Sequence, residues 1–317
     1  MNILITGGCG YIGTRLIEYL KEKNFNIRII DTNWFGNRIK KEKNIKIIKK
    51  NYKNIDSKDL KKIDAIIHLA NIANDPAAEI SSKLTWEVNV LYMKNLLDLA
   101  IKNKVKKFIY ASSGSVYGIK KEKNVTEELS LLPLSDYNKS KMIAEKVLMS
   151  YKNKIKIYSI RPATVCGFSR NMRFDVSVNM FVHQAFNKGK ITLFGGNQIR
   201  PNININDLCR VFIFFLTKNK KEGIYNAGFE NLSLFQIAKM IKKYIPTQVK
   251  ILKKSNDPRS YRQNSSKLSR AGFKREFSVE DAIKELLKEL KINNLKNNLD
   301  FYRIKKMRKI GSKILND

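Results

Sequence analysis

The sequence predicts an α/β protein: a doubly wound parallel sheet with helices on both faces and a smaller C-terminal α/β lobe. Three observations predict it. Short apolar runs alternate with helical periodicity through the first half of the chain, the pattern of strands and crossover helices in a sheet covered on both sides. The first apolar run, Ile3-Leu4-Ile5, ends in a glycine-rich segment, Thr6-Gly7-Gly8-Cys9-Gly10-Tyr11-Ile12-Gly13, that leads directly into a helical pattern. At 317 residues and 43% hydrophobic content, the chain can bury one large α/β core and a lobe beside it.

The elements follow in order. Strands are expected at 3–5, 26–30, 45–48, 65–69, 107–110 and 156–160, each a short run rich in isoleucine and other apolar residues. Helices are expected at 11–22, where Leu16, Ile17 and Leu20 share a face, and at 84–103 and 136–151. From about Phe174 the pattern loosens, with helices expected at 176–188, 205–218 and 234–244. Ser278 is placed to cap a helix over 278–290. The domain reading is a nucleotide-binding unit over 1–173 and a lobe made mainly of 174–290, with some segments returning to the first unit. A basic tail follows at 291–317, read as a helical or frayed surface segment.

A strand, a glycine-rich turn and a helix start together make a site for a pyrophosphate. The glycines permit a tight turn and close backbone approach, and the helix N-terminus presents free N–H groups with a partial positive charge. The spacing here, Gly7, Gly10 and Gly13, is GxxGxxG rather than GxGxxG. Such a turn alone can be only a turn. Asp31 adds to it: it ends the second strand at close to the ~20 residues expected, where a carboxylate accepts hydrogen bonds from an adenosine ribose and repels the extra phosphate of NADP. The pair reads as a Rossmann-type site for NAD.

Two further segments carry chemistry. Ala111-Ser112-Ser113-Gly114-Ser115-Val116-Tyr117-Gly118 follows a strand, at the sheet edge where reactions gather in such folds. Tyr137 and Lys141 are one helical turn apart, so they share a face. An ammonium beside a phenol favours the phenolate, which is a general base for an alcohol proton. Alone, this pair is as readily a solvated helix face.

Composition sets bounds. The formal charge of +34 would by itself suggest nucleic acid or an anionic membrane. The lysines, however, are spread along the whole chain among asparagines and isoleucines, so no nucleic-acid partner is expected. No apolar run reaches the ~18 residues that span a bilayer, no secretory signal is expected, and the expectation is a cytoplasmic protein without membrane insertion. Cys9, Cys166 and Cys209 match no disulfide or zinc spacing, and with two histidines no metal site is expected.

Together these segments resemble the extended short-chain dehydrogenases/reductases, specifically the NAD-dependent nucleotide-sugar epimerase/dehydratase family. The resemblance covers about residues 1–290. It rests on the glycine loop, Asp31, Ile67-His68-Leu69-Ala70, Asn89, the 112–118 segment, Tyr137-Asn138-Lys139-Ser140-Lys141 and Arg161-Pro162-Ala163-Thr164-Val165. It continues through Asn179, the run from Gly195 to Pro201, and Asp257-Pro258-Arg259. The resemblance implies NAD held by Gly7, Gly10, Tyr11, Ile12, Gly13, Asp31, Asn51, Leu69, Ala70, Asn89, Tyr137 and Lys141. It implies Tyr137 as base, Lys141 as its electrostatic partner, and Ser113 on the reacting oxygen. It implies a nucleotide-diphosphate sugar as substrate, contacted by Ser115, Asn179, Arg200 and Arg259, and a homodimer formed through the helices over 84–103 and 136–151.

Departures narrow this. The family's 4,6-dehydratases carry Asp-Glu after the catalytic threonine, where this chain has Gly114-Ser115, so elimination of water is not expected. Asn51 stands where an aspartate is frequent, Cys166 replaces a tyrosine and Asn204 a histidine. What remains is oxidation at a sugar carbon, C4, by an epimerase or a dehydrogenase. The segments 74–79 and 170–175 resemble a sub-branch from bacterial surface-sugar gene clusters that includes capsular-heptose enzymes. A silent NAD-binding sensor or scaffold is the reading from another class, but it has no need of Ser113, Tyr137 and Lys141 together.

Overall fold

The computed structural model describes residues 1–252, 260–293, 295 and 298–316. Its strands are β1 (Asn2–Thr6), β2 (Asn26–Asp31), β3 (Ile45–Lys49), β4 (Ala65–His68), β5 (Lys107–Ala111), β6 (Lys156–Pro162), β7 (Thr164–Cys166), β8 (Lys190–Phe194), β9 (Ile199–Asn204), β10 (Gly223–Ala227), β11 (Glu230–Ser233) and β12 (Gln248–Leu252). Its helices are α1 (Tyr11–Lys21), α2 (Asp75–Ala78), α3 (Ser82–Trp86), α4 (Tyr92–Lys102), α5 (Asp136–Met149), α6 (Ser177–Lys188), α7 (Ile205–Thr217), α8 (Leu234–Lys242), α9 (Ser266–Arg270), α10 (Val279–Asn293) and α11 (Arg303–Asn316).

Seven strands form one parallel sheet in the order β10-β6-β5-β4-β1-β2-β3. Successive residues of each strand go to opposite faces, because the side-chain period of a strand is two. Ile3 and Ile5 of β1 enter the core that also holds α1, α7 and α10, while Leu4 enters the core beneath α4 and α5. Burial on both faces explains the unbroken apolar runs of the sequence. The strand order reverses between β1 and β4, so the crevice at their carboxyl ends is the expected binding site.

The second half supplies the strands of the expected α/β lobe, for which the sequence placed only helices. It contains a three-stranded sheet, β11-β9-β7, and the two-stranded pair β12-β8, and it returns β10 to the edge of the main sheet beside β6. These lobe strands are short and polar, with Asn202, Asn204 and Asn231 among them, so they carry little apolar pattern. Helix α10 is capped as expected. The Asp281 N–H donates to Ser278 Oγ at 3.1 Å, and the Ser278 N–H donates back to Asp281 Oδ2 at 2.9 Å.

The single helix expected over 84–103 is three pieces. A π turn at Glu87–Leu91 joins α3 to α4. Such turns recur at functional sites, and this one carries Asn89. The basic C-terminal stretch, expected as a surface tail, is instead packed: Phe301, Arg303 and Met307 are buried, and α11 lies against α2. Among the described residues no helix is long and apolar enough to cross a membrane.

Candidate active site

The glycine loop follows β1 into α1. Gly7 has φ +72°, and a Cβ there would sit 2.6 Å from the Ala70 nitrogen. A Cβ on Gly13 would sit 2.6 Å from the Gly8 Cα. Both positions therefore require glycine: one for its conformation and its approach to the segment after β4, the other for the close packing of α1 on its own loop. The N-cap of α1 is Gly10, which offers no side-chain cap. The first N–H groups of the helix are thus left to an external acceptor.

The loop opens onto a cavity of about 180 Å³. Of the residues the sequence assigned to a cofactor, Gly7, Gly10, Tyr11, Ile12, Gly13, Asp31, Asn51, Leu69 and Ala70 line it. Asp31 accepts from the Cys9 N–H at 2.9 Å and the Asn33 N–H at 2.7 Å, which aims its carboxylate along the loop. Burial nevertheless pushes its pKa up. The amide nitrogen of Asn71, another lining residue, is buried without a protein partner. Loop, uncapped helix start, acid and orphaned amide fit a dinucleotide.

Three assigned residues stand behind this wall. Asn89 accepts from the Ile72 N–H at 2.9 Å and donates to the Ile72 carbonyl at 3.1 Å and to Ser140 Oγ at 3.0 Å. It ties the pocket wall to α5. Lys141 is fully buried; its Nζ donates to the Ala111 carbonyl at 2.6 Å and lies 4.7 Å from the Tyr110 ring centre and 6.0 Å from that of Tyr137. Burial pushes the Lys141 pKa well below its ordinary value, against the pull of Glu145. The buried Tyr137 shares its helix face. Burial of the pair disfavours net charge, so loss of one proton leaves either two neutral groups or an ammonium facing a phenolate.

Ser113 sits at the start of a 3₁₀ turn, Gly114–Tyr117. Its hydroxyl begins a directed chain. Asp75 can only accept, so the Asn138 side-chain nitrogen faces it at 3.1 Å and the Asn138 oxygen faces Ser115. Ser115 therefore donates to Asn138, and Ser113 donates to Ser115 at 2.7 Å. Ser113 Oγ also accepts from the Ser115 N–H at 3.2 Å, which leaves one lone pair for another donor. Beside it, a Cβ on Gly114 would lie 2.8 Å from Gln263 Oε1 and 3.1 Å from the Tyr261 hydroxyl.

Beneath α5 lies a buried ion pair. Arg161 Nη2 meets Glu145 Oε2 at 2.7 Å, with the side chains 3% and 2% exposed. Arg161 Nη1 donates to the Tyr117 hydroxyl at 2.7 Å, and that hydroxyl donates to Asn226 Oδ1 at 2.8 Å.

Of the residues assigned to substrate, Asn179 is buried with its amide spent within the protein. It accepts from the Gly167 N–H at 3.0 Å and donates to the Tyr11 hydroxyl and the Arg173 carbonyl, both at 3.0 Å. Arg200 lies on β9, and Arg259 lies outside the described residues. Sequence reasoning missed other lining residues: Trp34, Phe35, Lys50, Asn74, Arg173, Arg303 and Met307. Arg173 belongs to a run that the sequence singled out without assigning it a role. For Arg303 the one signal was the neighbouring Phe301-Tyr302, two aromatics within a basic stretch. A larger open groove, of about 590 Å³, runs along Arg15, Glu18 and Arg170 on the outer face of α1. There these charges pair with one another and with Glu285.

Residues 3–228 match the family described as the NAD dependent epimerase/dehydratase family. The chain belongs to that family, and NAD is its cofactor. It is 27% identical to a UDP-glucose 4-epimerase of Lactobacillus helveticus over 76% of this chain and 82% of that protein. It is 29% identical to a GDP-6-deoxy-D-talose 4-dehydrogenase of Aggregatibacter actinomycetemcomitans over 75% and 79%. Among solved structures it resembles the UDP-glucuronic acid 4-epimerase of Bacillus cereus in complex with UDP-glucuronic acid and NAD. The TM-score is 0.81 at 27% identity, covering 92% of this chain and 99% of that one.

Proposed function

We propose that this protein oxidises the C4 hydroxyl of a nucleotide-activated sugar and does not eliminate water. Lys141, buried beside Tyr137 and anchored on the Ala111 carbonyl, carries the reading. It holds an amine, and with it the proton the pair can share, in reach of a phenol at the carboxyl edge of the sheet, next to the NAD cavity. Tyr137 takes the proton of the sugar hydroxyl. Ser113 holds the same oxygen, turning its own proton from Ser115 toward it as negative charge develops there. NAD, when bound, supplies the acceptor for the hydride leaving the sugar carbon. Lys141 favours the phenolate that takes this proton and that re-forms when Tyr137 gives the proton up.

The crowding at Gly114 supports oxidation without elimination: Gln263 and Tyr261 fill the space a side chain would need. Arg200 and Arg259 are assigned to the substrate diphosphate, for which guanidinium forks are suited. Asn179 enters as a positioning residue, through Tyr11. Both a 4-epimerase and a 4-dehydrogenase use this set, and the relatives include each kind. The first substrate to test is GDP-D-glycero-α-D-manno-heptose, with a role in capsule synthesis and release of the 4-keto sugar. Pairing of two copies through α4 and α5 belongs to the same reading.

The test is incubation of the protein and NAD with a panel of GDP-, UDP- and ADP-sugars, followed by NADH absorbance and product mass. Loss of two hydrogens with NADH formed marks a dehydrogenase. Unchanged mass with inverted C4 marks an epimerase. Loss of water, or no turnover of any nucleotide sugar, contradicts the proposal.

A further inference from the structure

We propose that Arg303, on the C-terminal helix α11, is a binding residue for the pyrophosphate of NAD. The inference rests on the reading of the cavity as the NAD site. Arg303 lines that cavity and is only 7% exposed. It has no ion-pair partner among the described residues. Its guanidinium donates to the Asp300 carbonyl and, at 3.3 and 3.2 Å, to the backbone and side-chain oxygens of Asn171. These bonds occupy part of a five-donor fork. Its plane rests 4.3 Å from the Phe35 ring centre.

A second link fixes where this cation points. The Asn171 amide that accepts from Arg303 donates at 2.5 Å to the carbonyl of Cys9, in the glycine loop, and at 3.1 Å to that of Phe35. Arg303 is thus tied through one side chain to the loop that receives a pyrophosphate. It is also near enough to Asp31 to favour that carboxylate's charged form. Burial and the neighbouring Arg173 push the pKa of Arg303 down to about 9, so it is still a cation at neutral pH. The other arginine on this wall, Arg173, has its own carboxylate, Asp175, at 2.8 Å. Asp31, Asp175 and Asp300 attract this cation from a distance, but among the described residues none of them ion-pairs with it; a buried cation without a contacting carboxylate is costly, and a dianionic ligand lowers that cost.

The surrounding contacts keep α11 in place. Asp300 pairs with Arg38 at 3.0 Å and with Lys306 at 2.9 Å, and Met307 packs into the core beneath the same cavity. The stretch that looked like a surface tail therefore carries a cation from the far end of the chain to the N-terminal loop.

The experiment measures dissociation constants of adenosine, AMP, ADP and NAD for nucleotide-stripped wild type, Arg303→Met and Arg303→Lys, using Trp34 fluorescence or calorimetry. For Arg303→Met the expected result is a loss of about tenfold to a hundredfold for ADP and NAD, as for one charge-assisted hydrogen bond. Adenosine should stay within about twofold. Arg303→Lys, which retains the charge and most of the stem, should recover part of the loss. It decides the matter if Arg303→Met does not fold: a weakening for ADP but not adenosine supports the role. Wild-type affinity of Arg303→Met for ADP and NAD (or, if that variant does not fold, of Arg303→Lys), or an equal loss for adenosine, overturns it. Wild type that binds none of the four contradicts the NAD reading itself rather than the role of Arg303.

Discussion

Two buried arginines sit at different stages of completion. Arg161, beneath α5, has each of its three nitrogens bonded inside the protein, two to a carboxylate and one to a phenol. Arg303, on the wall of the cofactor cavity, is also buried, but among the described residues its hydrogen bonds go to carbonyl and amide oxygens alone. The satisfied site fixes a structure: it holds α5 on the sheet, and with it Tyr137 and Lys141. The incomplete site is suited to be finished by a ligand. The same distinction runs through the pocket. Asn89, fully bonded, supports the wall, while Asn71, with an orphaned amide nitrogen, faces the cavity.

Removing one partner from each site tests this distinction. Glu145→Gln leaves Arg161 buried without its counter-charge, and the expected loss is about 3–5 kcal/mol of stability, read by urea unfolding of the apo protein. A loss below about 1 kcal/mol would place the pair among the dispensable ones.

A smaller effect is expected at His68, which ends β4 between the two regions. Burial pushes its pKa down to about 3, so the folded protein holds it neutral, with Nδ1 2.6 Å from Thr6 Oγ1. Below the ordinary value near 6.5 the unfolded chain takes up a proton that the folded chain refuses. The stability contributed by neutral His68 is therefore complete above pH 6.5 and is lost as pH falls from there toward 3. By pH 5 the loss is about 2 kcal/mol. His68→Gln should be correspondingly less sensitive between pH 7 and 5 in urea titrations, and an unchanged slope would exclude His68 as the cause.

The smallest effect is expected for Arg303→Met in the absence of nucleotide. Replacing an unpaired buried cation by an apolar side chain of similar length should leave apo stability within about 1 kcal/mol, or raise it. A loss as large as that of Glu145→Gln would make the two arginines alike.

How much of this was legible follows from where each signal lies. The main sheet was readable because strands buried on both faces must be largely apolar, as Ile3–Ile5 and Ala65–Ile67 are. The glycine loop was readable because Gly7 and Gly13 admit no other residue. The lobe strands were not, since β9 buries Asn202 and Asn204 on either side of Ile203, and β11 holds one apolar residue, the half-buried Leu232. The π turn at Asn89 leaves the helical pattern of 84–103 almost unchanged. Arg303 was hidden by composition: among the 62 lysines and arginines of the chain, two neighbouring aromatics are too faint a mark to single it out.

The central claim, a Tyr137 base acting on a sugar hydroxyl beside bound NAD, is met most directly by Tyr137→Phe. With the nucleotide sugar that wild type turns over, the account predicts a loss of turnover of at least about a hundredfold while NAD binds as tightly as to wild type. Turnover near the wild-type rate in a variant that still binds NAD would contradict it.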